Sequence, residues 1–230
     1  MKTLSIIIPV YNEEKTISKV LDLVLKARVN VKKEIIIIDD GSTDNSKKII
    51  SNYIKKSKKV KFIFKSKKNG GKGSAVKEGI KLATGDVILI QDADLEYNPN
   101  EYQQLISPIL NKDCKVVYGS RMLKKNKKYS SIPFYMGGIL VTFITNILFN
   151  SKITDEPTCY KVFDTQLIKS IKIEGNGFEW EPEVTAKILK KGIKIKEVPI
   201  SYYPRTIKEG KKINWKDGLK AILTLIKYRF

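Results

Sequence analysis

The sequence predicts an α/β fold in which helices cover both faces of a mostly parallel sheet. Up to residue 118, short apolar runs rich in β-branched residues alternate with segments whose apolar residues recur at helical spacing. Each run ends in polar turn residues, which is typical of buried parallel strands. The 230 residues, 42% hydrophobic and 30% charged, suit a single globular domain over 1–230.

Five strands and four helices are predicted in this first part of the chain. The strands lie at residues 4–8, 34–38, 60–64, 86–90 and 115–118. The first helix carries Ile17, Val20, Leu21 and Val24 at helical spacing, with Asn12 as its N-cap. The other helices run from a turn at 42–44 to about residue 56, over 74–83, and over 100–110.

The remainder of the chain is less regular. Strands are predicted near 159–163 and at 193–198, with a helix near 183–190. An uncharged segment at 129–151 is long enough to span a bilayer, although Pro133 and the Gly137-Gly138 pair interrupt it. Near the C-terminus, Leu219, Ile222, Leu223 and Ile226 form an apolar stripe among lysines.

Composition limits the chemistry that the chain can perform. Lys and Arg number 44 against 24 Asp and Glu, which gives a net charge of +20, and there is no His. The lack of His excludes catalysis by a His base, Ser-His-Asp triads and His-ligated zinc. A metal would be held by carboxylates, which suits Mg²⁺ or Mn²⁺. The two cysteines, Cys114 and Cys159, are predicted to be reduced buried thiols.

Three polar clusters follow predicted strands at their carboxyl ends, where open α/β sheets bind ligands. They are Tyr11-Asn12-Glu13, Asp39-Asp40-Gly41-Ser42 and Asp92-Ala93-Asp94-Leu95-Glu96. Asp92, Asp94 and Glu96 alternate along the chain, so in an extended conformation all three would point to one side. This spacing predicts a site for a hard cation with positions left open for phosphate oxygens.

An ordered set of motifs carries a family resemblance along nearly the whole chain. The motifs are residues 5–14 (SIIIPVYNEE), 37–44 (IIDDGSTD), 69–73 (NGGKG) with Ala75, 92–94 (DAD), 118–121 (YGSR), 159–163 (CYKVF), 181–183 (EPE), 198–200 (VPI), and Arg205 with Lys211. Together they resemble family 2 glycosyltransferases of the Rossmann-like GT-A fold. Within that family they resemble dolichol-phosphate mannose synthase and the bacterial polyprenyl-phosphate glycosyltransferases.

The resemblance implies roles for individual residues, divided between a nucleotide-sugar-binding half at 1–120 and an acceptor- and membrane-facing half at 121–230. Asp92, Asp94, Arg121 and Arg205 would be the catalytic residues. The nucleotide sugar would be held by Pro9, Tyr11, Glu13, Ile38, Asp40, Asp92, Ala93, Asp94, Arg121, Arg205 and Lys211. The metal ligands would be Asp92, Asp94 and Glu96, of which Glu96 replaces the Gln of many relatives.

The reaction implied is a metal-dependent, inverting transfer of a sugar from a nucleotide sugar to a polyprenyl or dolichyl phosphate. Mannose from GDP-mannose is the first expectation. A phosphate oxygen is already ionised at neutral pH, so this acceptor needs no His base. One alternative is a UDP-sugar donor with a saccharide hydroxyl acceptor, for which Asp155 or Glu156 could act as base. A remote alternative is a basic nucleic-acid-binding protein, but the lysines are spread along the chain, and we expect no nucleic-acid partner.

A lipid acceptor would bring the protein to a membrane. We interpret 132–149 as an interfacial or re-entrant helix and 219–226 as a second helix lying on the surface. The competing interpretation is that both are core helices. The expected location is cytoplasmic with peripheral membrane contact, and a membrane-anchor partner protein is possible in principle.

Overall fold

The computed structural model describes residues 1–57, 60–124, 129, 131–205 and 212–230. Within these residues a seven-stranded sheet has the order β3-β2-β1-β4-β6-β5-β7. The strands are β1 (Thr3–Val10), β2 (Lys32–Asp39), β3 (Lys61–Ser66), β4 (Val87–Ile90), β5 (Val116–Ser120), β6 (Lys161–Asp164) and β7 (Lys196–Pro199). All six strand pairings connect strands predicted from the sequence, and the four pairings that exclude β6 are parallel.

Helices surround this sheet and include one that was not predicted. They are α1 (Ile17–Lys26), α2 (Ser46–Lys56), α3 (Lys72–Leu82), α4 (Tyr102–Leu110), α5 (Ile132–Phe149), α6 (Thr165–Ser170), α7 (Trp180–Lys190) and α8 (Trp215–Arg229). A 3-10 turn at Pro99–Glu101 precedes α4. The short helix α6 is the unpredicted element, and Asp164 caps it by accepting a hydrogen bond from the Leu167 backbone NH.

The predicted fold class is confirmed, with one strand reversed. β6 runs antiparallel to both β4 and β5, so the sheet is mixed where the chain enters its second half. The central strands are buried on both faces. Ile6, Ile7 and Ile8 of β1 are fully buried, as are residues 35–38 of β2, which explains why these strands are continuous apolar runs rather than alternating ones.

Two predicted helix starts are wrong for local reasons. Asn12 does not cap α1, because its φ of +51° places it in a left-handed turn and α1 begins five residues later at Ile17. The Asn12 Oδ1 instead accepts a hydrogen bond from the Thr43 backbone NH at 2.8 Å. Helix α3 begins at Lys72, two residues before the predicted start, because Gly71, with φ +92°, ends the loop.

The last helices form a layer that is largely open to solvent. Helix α5 packs on α8, and α8 packs on α7. Only Val141, Thr142 and Thr145 of α5 are buried. Among the described residues α5 is the one helix long and apolar enough to cross a membrane, and 17% of its 18 residues are buried within the protein. Helix α8 buries Leu225 and leaves Leu219, Leu223 and Ile226 exposed.

Candidate active site

A cavity of about 1090 Å³ opens at the carboxyl edge of β1, β2 and β4. This edge is where the three predicted polar clusters meet, because parallel strands end on the same side. The predicted site residues that line the cavity are Pro9, Tyr11, Glu13, Asp40, Asp92, Ala93, Asp94, Glu96, Arg121 and Arg205. Ile38 is fully buried inside β2 and is not among the lining residues. Lys211 lies outside the described residues.

Arg205 is the centre of the first ionic cluster in the cavity. Its Nη2 lies 3.0 Å from Asp94 Oδ2, and its Nη1 lies 3.3 Å from Glu13 Oε2. Lys212 Nζ donates to Glu13 Oε1 at 2.7 Å and also contacts the Tyr11 carbonyl oxygen. The Arg205 Nε is buried and has no hydrogen-bond partner among the described residues. This Nε lies 3.8 Å from Glu96 Oε1, so all three nitrogens of the guanidinium face carboxylates.

Lys72 is the centre of a second ionic cluster. Its Nζ lies 2.9 Å from the carboxylate of Asp92 and 2.9 Å from Oε1 of Glu181. Burial opposes the charge on Lys72, but Asp92 and Glu181 outweigh it and raise the pKa of the ammonium above its ordinary value. Lys72 is thus a permanent cation at the N-terminus of α3, held between the residue after β4 and the first turn of α7.

The expectation that Asp92, Asp94 and Glu96 lie on one side of an extended chain is wrong. The backbone turns at residues 93–95, where Leu95 has a φ of +66°. Glu96 is directed to the segment after β7, where it accepts from the Tyr202 hydroxyl at 2.9 Å and the Arg205 backbone NH at 2.8 Å. Glu96 thus connects residues 202–205 to the loop at 92–96 by hydrogen bonds. The metal-binding role predicted for Glu96 stays a prediction.

Arg121 is engaged by protein groups rather than left open for phosphate. Its Nε and Nη2 donate to the two oxygens of Asp155 at 2.7 and 2.6 Å, and Nη2 also donates to the Pro157 carbonyl at 3.0 Å. The guanidinium stacks 5.0 Å from the centre of the Tyr202 ring. The phosphate-binding role predicted for Arg121 would require part of this bidentate pair to open.

Asp40 holds the glycine-rich loop in place. Its Oδ2 accepts from the Gly71 backbone NH at 2.7 Å, and its Oδ1 accepts from Gly70 NH at 3.1 Å and Lys67 Nζ at 2.5 Å. On its other side the loop packs closely on the backbone at 176–177, since a Cβ on Gly71 would meet the Asn176 carbonyl oxygen at 2.5 Å and the Ser74 NH donates to that oxygen at 2.9 Å. The sequence therefore places Lys72 in the cavity through a loop that is anchored on both sides.

The charged end of the cavity carries a surplus of negative charge. Within the described part of the chain its two clusters contain five carboxylates, on Glu13, Asp92, Asp94, Glu96 and Glu181, and three cations, on Lys72, Arg205 and Lys212. Burial and the charges of Asp92 and Glu96 raise the pKa of Asp94 to about 7, against the opposing charge of Arg205.

The donor chemistry of this end fits a hard divalent cation. A bound Mg²⁺ or Mn²⁺ would offset negative charge at this end, and carboxylate oxygens are the ligands that such ions prefer. No group of three or more Asp, Glu or Cys side chains among the described residues has the geometry of a complete metal site. Asp92 is paired with Lys72 and Asp94 with Arg205, and the metal-binding role predicted for these two carboxylates stays a prediction.

The opposite end of the cavity is apolar. It is lined by residues 133–141 of α5 and by residues 215–222 of α8. Gly137 leaves open space, since a Cβ there would meet nothing within 4 Å. The cavity thus joins an ionic end, built on the sheet edge, to an apolar groove built from the two outer helices.

Sequence reasoning missed Lys72, Glu181 and Lys212. Lys72 carried a local signal, because it stands between glycines in a loop at the sheet edge. Glu181 stands in the quoted motif at 181–183 but was given no role, and Lys212 carried no signal; their partners lie 109 and 199 residues away in the chain.

Comparison with known proteins agrees with this geometry. A family model for glycosyl transferase family 2 matches residues 5–172. The UDP-N-acetylglucosamine–dolichyl-phosphate N-acetylglucosaminyltransferase of Methanococcus voltae is 29% identical, over 98% of this chain and 95% of its own. A dolichyl-phosphate beta-glucosyltransferase of Trichomonas vaginalis is 28% identical, over 97% of this chain and 72% of its own.

Solved structures show the same fold. Glucosyl-3-phosphoglycerate synthase from Mycobacterium tuberculosis, crystallised with Mn²⁺, UDP and phosphoglyceric acid, aligns with a TM-score of 0.75 and 18% identity. The alignment covers 99% of this chain and 78% of the other, and at this identity it shows the fold alone. The resemblance noted from the motifs is confirmed: the chain is a glycosyltransferase of the GT-A fold that belongs to family 2.

Proposed function

We propose that this enzyme transfers a hexose from a nucleoside diphosphate sugar to a polyprenyl phosphate at a membrane surface. The observation that carries the proposal is the continuity of the cavity, which runs from the ionic clusters to the apolar groove between α5 and α8. A nucleotide sugar is anionic and polar, and a polyprenyl phosphate is anionic at one end and apolar along its chain. The two ends of the cavity match these two substrates in charge and polarity.

The ionic end supplies groups for the donor diphosphate. Arg205, Lys72 and Lys212 are three cations on the cavity wall. Guanidinium and ammonium groups of this kind stabilise negative charge that develops on a departing diphosphate. When bound at Asp92 and Asp94, a divalent cation would supply further Lewis-acid stabilisation of the same charge. We propose that displacement is direct and inverting, as the motifs imply.

The acceptor would lie in the groove. Its phosphate oxygen is already ionised at neutral pH, so the reaction needs no base from a chain that lacks His. The two named relatives that match nearly the whole chain act on dolichyl phosphate by their names. Both facts support a lipid phosphate over a saccharide hydroxyl. The latter would need Asp155 or Glu156 as base, and Asp155 is already paired with Arg121.

For the donor we propose a UDP-sugar ahead of GDP-mannose. One relative is named for UDP-N-acetylglucosamine, and the M. tuberculosis structures contain UDP or UDP-glucose. GDP-mannose, the first expectation from the motifs, is the competing donor in the same assay. The choice between uracil and guanine depends on contacts around Asp40. The carboxylate of Asp40 already accepts hydrogen bonds from the backbone of the glycine-rich loop.

Membrane contact would occur through the exposed apolar faces of α5 and α8. On α5, Ile132, Met136, Leu140, Phe143 and Ile147 are exposed and recur at helical spacing; on α8, Trp215, Leu219, Leu223 and Ile226 do the same. We call these nine side chains the α5–α8 surface. Lys216, Lys220 and Lys227 of α8 add positive charge, which favours a leaflet containing anionic lipid. A separate anchor protein is not needed for this mode of attachment.

The direct test is a transfer assay with the purified chain in detergent or lipid vesicles. UDP-glucose, UDP-N-acetylglucosamine and GDP-mannose are each offered with a short polyprenyl phosphate or with a saccharide, in Mn²⁺, Mg²⁺ or EDTA. We expect a glycosylated lipid phosphate from one donor, and its loss in EDTA. Product formed only on the saccharide would overturn the proposed acceptor, and unchanged activity in EDTA would overturn the proposed metal.

A further inference from the structure

Glu156 has an unsatisfied carboxylate oxygen in the wall of the cavity. The residue is 1% exposed, it lines the cavity beside Pro157 and Glu181, and its Oε2 has no hydrogen-bond partner among the described residues. A buried acceptor without a donor is costly, and native structures retain few of them. A carboxylate in this state is therefore suited to receive a hydrogen bond from a ligand.

The surrounding groups hold Glu156 rigidly but leave its charge poorly satisfied. Oε1 lies 2.9 Å from Thr185 Oγ1, but the single Thr185 proton is also directed at the Glu181 carbonyl at the same distance. The buried Lys161 Nζ is 3.7 Å from Oε1 and donates to the Glu156 carbonyl oxygen instead. The Thr142 hydroxyl of α5 fixes the Glu156 backbone NH at 3.0 Å.

The position of Glu156 indicates which ligand atoms it would meet. Thr185 lies one turn after Glu181 on α7, and Glu181 shares Lys72 with Asp92. Glu156 is thus on the inner wall, next to the cluster that would hold the diphosphate and before the apolar groove begins. A carboxylate repels a phosphate and attracts a neutral hydroxyl group. Of the two proposed substrates, only the nucleotide sugar carries several such hydroxyls, on its hexose and on its ribose, and inhibition by the free nucleotide distinguishes the two.

We propose that Glu156 recognises the transferred sugar. Its Oε2 would accept a hydrogen bond from one hydroxyl of the hexose in the nucleotide sugar. This inference rests on the proposed function, because it requires a nucleotide-sugar donor. It assigns Glu156 a role in donor specificity, distinct from the base that a saccharide acceptor would need. Sites that hydrogen-bond a substrate hydroxyl discriminate strongly against analogues in which that hydroxyl is absent or displaced.

The test compares the whole enzyme with Glu156→Gln, Glu156→Asp and the control Glu197→Gln. Glu156→Asp keeps a negative charge near Lys161, but its shorter side chain withdraws the carboxylate from the cavity. Glu197 is a matched control because it also supports this segment, accepting from Thr154 NH at 2.8 Å and Asp155 NH at 3.1 Å, and it does not line the cavity. For each variant, kcat/KM is measured with UDP-glucose, UDP-galactose, UDP-N-acetylglucosamine and GDP-mannose, together with inhibition constants for UDP and GDP.

Both Glu156 variants are expected to lower kcat/KM for the preferred donor by about tenfold or more and to narrow the preference between epimeric donors. The inhibition constant of the free nucleotide should stay within about twofold, because UDP and GDP keep the ribose but lack the transferred hexose. The ratio of kcat/KM between two donors and the inhibition constant do not depend on how much of a variant folds. Equal losses for donor and free nucleotide, unchanged donor preference, or the same narrowing in Glu197→Gln would overturn this inference and leave the proposed function intact. A wild-type enzyme that used no nucleotide sugar would overturn both.

Discussion

Glu34 ties together the amino ends of three central strands, on the side of the sheet away from the cavity. Its carboxylate accepts from Ser5 Oγ at 2.5 Å, from the Thr84 and Gly85 backbone NH groups at 2.6 and 3.0 Å, and from Lys61 Nζ at 2.9 Å. Burial opposes ionisation of Glu34, but the hydrogen bonds from Lys61, Ser5 and Thr84 outweigh it and lower the pKa to about 2 from an ordinary value of 4.5.

This shift sets the size of the prediction for Glu34→Gln. A pKa unit corresponds to about 1.4 kcal/mol, so the full shift corresponds to about 3 kcal/mol of folding free energy at neutral pH. Lys61 is more than half exposed, and solvent screens its share. We therefore expect a loss of about 2 kcal/mol at pH 7. Because the folded pKa is depressed, the contribution is complete above the unfolded pKa and is lost as pH falls toward 2, so at pH 3 less than half of the difference should remain.

Urea unfolding at pH 7 and pH 3 measures this difference, since Trp180 is fully buried and reports loss of the core by fluorescence. The free energies of wild type and Glu34→Gln are compared at each pH, so other titrating groups cancel. The KM for the donor should not change, because Glu34 does not line the cavity. A difference below about 0.5 kcal/mol at pH 7, or one that does not shrink at pH 3, would refute this account of the strand ends.

Three further predictions concern the cavity and the surface. Asp92→Asn and Asp94→Asn should each lower transfer by about 10²–10³-fold and weaken Mn²⁺ binding measured by calorimetry, because each removes a charged ligand; full Mn²⁺ affinity in both would contradict the proposed ligands. Lys72→Met should weaken UDP binding by about tenfold, because the proposed diphosphate site loses a buried cation, while the exposed Lys81→Met provides a control without effect. Phe143→Asp combined with Leu223→Asp, neither of which lines the cavity, should abolish flotation with vesicles containing anionic lipid and leave UDP binding unchanged, whereas retained flotation would exclude the α5–α8 surface as the membrane contact.

The sheet and the polar edge could be predicted because their signals are local. A run such as residues 35–38 indicates a strand buried on both faces, and the residues that follow such strands must gather at one edge. The direction of β6 could not be predicted in this way. It follows α5 and a long irregular connection, and the four residues of Lys161–Asp164 have no feature that distinguishes an antiparallel strand from a parallel one.

The ion pairs at the site could not be predicted from the sequence, for a different reason. Arg205 was predicted to grip phosphates, but its contacts with Asp94 and Glu13 join positions 111 and 192 residues apart. Arg121 and Asp155 are likewise brought together by the fold, in a pair that occupies the bidentate fork predicted for a ligand. The type of a residue determines which hydrogen bonds and ion pairs its side chain can make. Tertiary contacts determine which partner it meets.

Helix α5 shows where uniform hydrophobicity leaves the environment undetermined. A helix that is apolar all round is normally surrounded by an apolar environment on every side. In this fold α8 and α7 cover only the side of α5 that carries Val141 and Thr145, and the opposite side, with Met136, Phe143 and Ile147, is exposed. An exposed apolar face of this size, beside the lysines of α8, is typical of an interaction surface in a soluble protein. Because the same helix also lines the groove proposed for the acceptor, the proposed membrane contact and the proposed acceptor site share one helix.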